Sequence, residues 1–193
     1  MVGLKFVPSA GFMNRACFFL LKILVVTALM LPLRARAQAQ SWDEIKPPFG
    51  LSWGESAERI EKLLKGAKAT VVDRHEVEGR QSWTVQGLIQ AGLKRTVFYF
   101  KNGMLVEVEL QYEDPTWDVA KYNDFMAQVR RRIELKFGAG QLIARSKGPE
   151  GDVMQTVVGY KWNQNNTAIQ LFYYSAERNT DAFRTVSVHY KTL

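Results

Sequence analysis

Apolar residues recur along the chain with two different periods, and the changes of period mark its predicted elements. One helix is predicted to begin after Ser56, whose hydroxyl suits an N-cap, and to end with Gly66 as its C′ residue. A second is predicted to open at Asp114-Pro115-Thr116 and to stop at Gly138. The residues expected to dock both helices on a sheet recur every three or four positions: Ile60, Leu64, Phe125, Met126, Val129 and Ile133.

Elsewhere apolar and polar positions alternate, which is typical of half-buried strands. The clearest pair flanks Asn102-Gly103, a dipeptide that favours a two-residue hairpin. The pattern predicts an α+β fold, with an antiparallel sheet of about eight strands and two helices on one face. The predicted strands cover 70–74, 83–89, 94–101, 104–113, 142–146, 153–162, 167–174 and 183–191.

Counting outward from the hairpin without interruption assigns each strand residue to a face of the sheet. The face under the helices then receives Val97, Tyr99, Val106, Val108, Leu110 and Tyr112. Phe98 and Phe100 fall on the opposite face, together with Glu107 and Glu109. These glutamates are expected to be a solvated surface, because adjacent carboxylates on one strand face usually are.

The order of elements indicates a diverged internal repeat, with halves at about 49–113 and 114–193. Phe98-Tyr99-Phe100 matches Phe172-Tyr173-Tyr174 at an offset of 74. Val108-x-Leu110-x-Tyr112 matches Val186-x-Val188-x-Tyr190 at an offset of 78. The first match predicts that Phe172 and Tyr174 lie in positions equivalent to Phe98 and Phe100, beside Ser187 and His189.

The segment Gly54-x-Ser56-x-x-x-Ile60-x-x-Leu63 resembles the glycine-then-cap helix start of small exported domains of the β-lactamase-inhibitor-protein and barrel-assembly-lipoprotein type. A helix followed by strands, twice over, is similar to the inhibitor proteins across residues 49–193. The resemblance implies a non-enzymatic module that binds other proteins, in the inhibitor proteins across a concave sheet face. This chain departs from both groups, because its single cysteine, Cys17, allows neither disulfides nor a lipid anchor after the apolar run.

Residues 1–37 are predicted to be a cleavable signal peptide. Only basic charges precede the apolar run at 23–33, and Ala35-x-Ala37 and Ala37-x-Ala39 offer cleavage after Ala37 or Ala39. Residues 38–48 then form a polar lead-in to a single domain at 49–193. Arg34 and Arg36 follow the apolar run directly, which leaves open an uncleaved membrane anchor. The expected compartment is the periplasm, with extracellular or anchored protein as alternatives.

Removing that segment changes the chemistry that the composition allows. Five of the 26 Lys and Arg residues and none of the 19 Asp and Glu precede Gln38, so the net charge falls from +7 to +2. A nearly neutral domain argues against nucleic-acid binding. Without Cys17 the mature chain has no thiol for catalysis or metal binding.

Candidate catalytic and metal-binding residues are sparse. Gly50-Leu51-Ser52-Trp53-Gly54 matches the G-x-S-x-G pattern of serine hydrolases, but Lys46-Pro47-Pro48 precedes it instead of an apolar strand. Asp73 or Asp181 with His189 would have to complete such a site. His75 and His189 lack nearby ligands with metal-site spacing. The sequence therefore predicts no catalytic, metal or cofactor site.

The sequence predicts an exported, non-enzymatic domain that binds a macromolecule or supports the envelope. Aromatics among charges on an exposed face favour a protein-binding surface. The predicted contact residues are Phe98, Phe100, Glu107, Glu109, Phe172, Tyr174 and His189. Three alternatives remain: a small secreted hydrolase using Ser52, a membrane-tethered structural protein, and a sheet face covered by the lead-in or by an oligomer.

Overall fold

The computed structural model describes residues 44–193. The predicted signal peptide, its cleavage sites and the first residues of the lead-in lie outside the described residues. Within these residues the order is one helix, four strands, one helix and four strands. The elements are α1 (Ala57–Gly66), β1 (Thr70–Val77), β2 (Arg80–Gln86), β3 (Leu93–Lys101), β4 (Met104–Tyr112), α2 (Val119–Phe137), β5 (Gln141–Glu150), β6 (Val153–Gln164), β7 (Thr167–Arg178) and β8 (Asp181–Thr192).

All eight strands form one antiparallel sheet in the order β1-β2-β3-β4-β8-β7-β6-β5. In each half the helix is followed by four strands that form an antiparallel meander. The two halves join where β4 pairs with β8. Both helices pack on the same sheet face, where their apolar side chains enter one core. The predicted α+β class, strand number and helix placement are confirmed.

The predicted start of α1 is correct, but its end is not. The Ser56 hydroxyl accepts a hydrogen bond from the Arg59 N–H at 3.3 Å, as an N-cap should. Gly66 is the last helical residue instead of the C′ residue, and the left-handed conformation falls on Lys68, with φ of 57°. The Ala69 N–H then returns to the Leu64 carbonyl at 2.9 Å, which closes the helix end.

The second helix begins later than the sequence predicts. Asp114 makes a local turn instead, in which its Oδ1 accepts from the N–H of Thr116 at 2.8 Å and from its hydroxyl at 2.6 Å. The helix starts at Val119, capped by Asp118, whose Oδ1 accepts from the Lys121 N–H at 2.7 Å. It stops at Gly138, with φ of 76°, as predicted. Within residues 44–193, no helix is long and apolar enough to cross a bilayer.

The core lies between the helices and the sheet. Of the predicted docking residues, four are buried and Phe125 and Val129 are half-buried against them. The described lead-in packs on this same side. Ile45 is 1% exposed and donates its N–H to Gln164 Oε1 at 3.1 Å, and Trp53 Nε1 donates to the Ile45 carbonyl at 3.0 Å. This part of the lead-in therefore does not cover the opposite face of the sheet.

The hairpin at Asn102-Gly103 forms as predicted, with φ of 52° and 76° at its two turn residues. Phe100 pairs with Leu105, but the next pair is Tyr99 with Glu107, so Val106 is an extra residue in β4. Its carbonyl accepts from the Thr192 hydroxyl at 3.3 Å. One inserted residue moves the partner strand by one position relative to an unbroken count, and so exchanges its faces.

Because of this bulge, the faces predicted for the residues of β3 are wrong. Phe98 and Phe100 are each 1% exposed and lie in the core under the helices. Val97 and Tyr99 point to the other side, opposite Glu109 and Glu107. In β4, Val108, Leu110 and Tyr112 lie on the helix side as predicted. All three follow the extra residue, so their alternation with one another is unchanged, and it is β3 whose faces are exchanged.

The strand register supports only one of the two sequence matches on which the predicted repeat rests. Phe98 and Phe100 lie on the helix side, whereas Phe172 and Tyr174 lie on the opposite side beside Ser187 and Thr185. The offset of 74 therefore does not join equivalent positions. The offset of 78 joins residues of one face, since Leu110 pairs directly with Val188 and both are buried. A true duplication stays a prediction.

Candidate sheet-face site

The sheet face opposite the helices, called the open face below, carries a cluster of polar and aromatic side chains. Neither helix packs on it, and neither does the described part of the lead-in. The cluster lies where β2, β3, β4, β8 and β7 run side by side, so residues far apart in sequence meet there. Its members are Arg80, Tyr99, Glu107, Glu109, Phe172, Tyr174, Ser187 and His189.

Glu107 is the centre of the cluster and is 8% exposed. Its Oε2 accepts from Arg80 Nη1 at 2.7 Å, and its Oε1 lies 2.9 Å from His189 Nδ1. The Arg80 guanidinium also stacks over the Tyr99 ring, 4.9 Å from its centroid. The carboxylate is thus held from two sides by groups on β2 and β8.

Glu109, also 8% exposed, extends the network along β4. Its Oε2 accepts from the Tyr99 hydroxyl at 3.1 Å, and its Oε1 accepts from Gln111 Nε2 at 2.6 Å. The Gln111 carbonyl oxygen in turn accepts from Arg95 Nε. Both glutamates are therefore hydrogen-bonded and mostly buried, and the predicted solvated surface is wrong for them.

The surroundings fix the charge states of these groups. Burial alone would raise the pKa of Glu107, but the contacts with His189 and Arg80 outweigh it and hold that pKa below its ordinary value. Burial, together with the nearby Glu109 carboxylate, raises the pKa of the Tyr99 hydroxyl. Tyr99 therefore stays a neutral hydrogen-bond donor to Glu109.

Half-buried aromatic rings border this polar network. The Phe172 ring meets the His189 ring edge-on, with the two centroids 5.7 Å apart. The ring centroids of Tyr174 and Phe183 are 6.1 Å apart. Phe172 lies over Gly159, where an added Cβ would come within 2.5 Å of the ring. The glycine thus lets the ring lie close to the sheet.

The structure brings five of the seven predicted contact residues together on the open face: Glu107, Glu109, Phe172, Tyr174 and His189. Phe98 and Phe100 are excluded, because the bulge turns them into the core. Sequence reasoning missed Arg80 and Tyr99. A signal for Tyr99 was present, since an unbroken count sets Phe98 opposite Glu107, an apolar ring against a charge.

One chain of contacts has the order of a serine–histidine–acid triad. Ser187 Oγ lies 3.2 Å from His189 Nε2, and His189 Nδ1 lies 2.9 Å from Glu107 Oε1. Acyl transfer also needs donors aimed at a developing oxyanion. Ser187 is 8% exposed and pairs with Gln111 on one side and Phe172 on the other, so the strand backbone there is used by the ladders. Ser187, His189 and Glu107 therefore form one continuous polar network on the open face.

Ser52, the serine of the G-x-S-x-G pattern, lies exposed in the turn before α1. Its N–H donates to Glu55 Oε1 at 3.2 Å. The His75 side chain is hydrogen-bonded to Asp73, and the His189 side chain is hydrogen-bonded to Glu107 and Ser187. Within residues 44–193, no His, Cys, Asp and Glu group has the arrangement of a metal site.

The Glu107 network predicts a specific dependence of stability on pH. Because the folded-state pKa of Glu107 lies below its ordinary value of 4.5, ionisation stabilises the fold above that pH, and the contribution is lost as pH falls through the folded-state pKa. Glu107→Gln should lower the free energy of unfolding by about 1–2 kcal/mol at neutral pH and flatten its decline below pH 4.5. Urea unfolding at several pH values measures both effects. Glu76→Gln, an exposed strand glutamate, is the control, and equal behaviour of the two variants would contradict the network.

No protein-family model, no curated protein and no solved structure matches this chain. The resemblance to exported tandem helix-plus-strand domains therefore stays a prediction.

Proposed function

We propose that this protein is an exported, non-enzymatic binding domain that contacts a protein partner through the open face of its sheet. The observation that supports this most is the combination of half-exposed aromatic rings with a polar network whose members already satisfy one another. Phe172 and Tyr174 offer apolar contact area, and aromatic residues are enriched in protein interfaces.

The network would serve such an interface by holding its groups in place. Glu107 and Glu109 each have at least two partners, so neither side chain must be ordered when a partner binds. Preorganised side chains reduce the entropic cost of association. The face is therefore suited to recognition without a change in shape.

The charges at the border of the aromatics indicate what the partner presents. Lys161 and Lys191 lie on the open face and are half-buried. Lys161 is next to Gln170, and Lys191 lies between Ala168 and Glu107. Within residues 44–193, neither lysine makes an ion pair. We expect the partner to place carboxylates against them, around an apolar centre that meets Phe172 and Tyr174.

The double variant Phe172→Ser, Tyr174→Ser tests this surface. Captured proteins from an envelope extract of the source organism would be identified by mass spectrometry and compared with those captured by the wild-type domain. We expect the variant to lose specific partners while it still unfolds in one cooperative transition, as the control does. Leu63→Ser is the control, since Leu63 is 46% exposed on the helix side. Equal capture by both variants, or no specific capture by the wild type, would rule the proposal out.

A further inference from the structure

The helix side of the molecule contains a cavity of about 870 Å³ between α2 and the lead-in. Its volume lies within the roughly 300–1,000 Å³ typical of small-molecule sites. The apolar part of its lining comes from both helix and sheet: Pro48, Ile133, Leu135, Phe137, Ile169 and Tyr190. Leu135 is 76% exposed, so the cavity opens to solvent along a largely apolar wall.

A second cavity of about 300 Å³ lies on the same side of the sheet. Tyr112, Trp117, Phe125 and Val129 provide its apolar lining. Arg132 lines both cavities, so a single guanidinium is within reach of a ligand in either one. Both cavities thus have a largely apolar lining, and the Arg132 side chain belongs to both linings.

The charges around these cavities are strongly unequal. Among the described residues, Lys46, Lys121, Arg132 and Lys136 line them, and Glu44 is the one carboxylate in either lining. Within the described part of the chain, none of the four cations makes an ion pair. Arg130 is different: it pairs with Glu134 at 2.8 Å and stacks on Tyr160 at 4.1 Å. The four cations that line the cavities are therefore available to a negatively charged ligand group.

We infer that the larger cavity, between α2 and the lead-in and called the cleft below, binds a long-chain fatty acid, with the acyl chain against the apolar lining and the carboxylate at Arg132. A fatty acid combines an apolar chain with one negative charge, which complements an apolar cavity bordered by unpaired cations. Guanidinium groups bind carboxylates through charge-assisted hydrogen bonds. The cleft lies on the opposite side of the sheet from the open face, so this inference does not depend on the proposed protein partner.

Calorimetric titration of the purified protein with palmitate, below its aggregation concentration, tests the site. We expect saturable binding of one molecule per chain. Arg132→Gln should weaken it about tenfold, because one charge-assisted contact is lost. Arg131→Gln is the matched control: both side chains are exposed on α2, but Arg131 lines neither cavity. Hexadecanol, which has the chain without the charge, should bind about tenfold more weakly than palmitate, for the same reason.

Three results would overturn the inference. Absence of saturable palmitate binding would exclude the site. Equal losses in the Arg131 and Arg132 variants would show adsorption to a basic helix surface. Equal affinity for hexadecanol and palmitate would show an apolar groove without a carboxylate subsite. Melting temperatures of both variants, which should match the wild type, separate these results from unfolding.

Discussion

Replacing Phe98 by alanine should lower the free energy of unfolding by about 3–5 kcal/mol, the range for large-to-small substitutions at buried aromatic positions. Phe98 is 1% exposed and lies opposite Val108 and Trp83 in the sheet, under the helices. Truncation would remove its apolar contacts and leave a cavity in the centre of the core. Urea unfolding measures the loss directly.

Phe172→Ala is the matched comparison, because the two phenylalanines belong to the same sequence match but lie on opposite faces of the sheet. Phe172 is half-buried on the open face, so its truncation should cost less than half as much as that of Phe98. Equal losses would mean that the bulge at Val106 is absent and that the open face is another core surface.

Gly140→Ala should lower the free energy of unfolding by about 3 kcal/mol, through overpacking and the loss of a hydrogen bond. A Cβ at Gly140 would lie 2.4 Å from Cζ2 of Trp162, whose side chain is buried. Trp162 Nε1 also donates to the Gly138 carbonyl at 2.9 Å, which ties β6 to the end of α2. The indole cannot move away without breaking that bond.

Gly148→Ala is the control for the second prediction. Gly148 belongs to the edge strand β5, its φ is not positive, and nothing lies within 4 Å of an added Cβ. Its replacement should leave stability unchanged or raise it slightly, because alanine restricts the unfolded chain. If Gly140→Ala unfolds at the same urea concentration as Gly148→Ala, the packing of Trp162 against Gly140 is wrong.

The features that local chemistry decides were predictable from the sequence. Ser56 caps α1, Asn102-Gly103 forms the hairpin, and Gly138 ends α2 because each depends on a few neighbouring residues. Local chemistry also explains one error. Asp114 and Asp118 are both good N-caps, and the hydrogen bonds of Asp114 to Thr116 left the helix start to Asp118.

The candidate site was predictable only in part. Glu107 and Glu109 reach the open face as the count from the hairpin predicts. Phe172, Tyr174 and His189 also lie there, although the offset of 74 that placed them beside Phe98 and Phe100 does not join equivalent positions. Their mutual contacts were not predictable, since each depends on which strands become neighbours in the sheet. His189 meets Glu107 because β4 pairs with β8, and 82 residues separate the two in sequence.

The sequence by itself determined the order of the helices and strands and the number of strands, because periodicity and turn chemistry are local. The tertiary structure alone decided which face of β3 is buried. With Val106 paired, Phe98 would oppose Glu107; with Val106 bulged, Phe98 opposes Val108 and Tyr99 opposes Glu107. The bulged register buries two phenylalanines in the core and gives the glutamate polar partners, and both gains depend on contacts with other strands and with the helices.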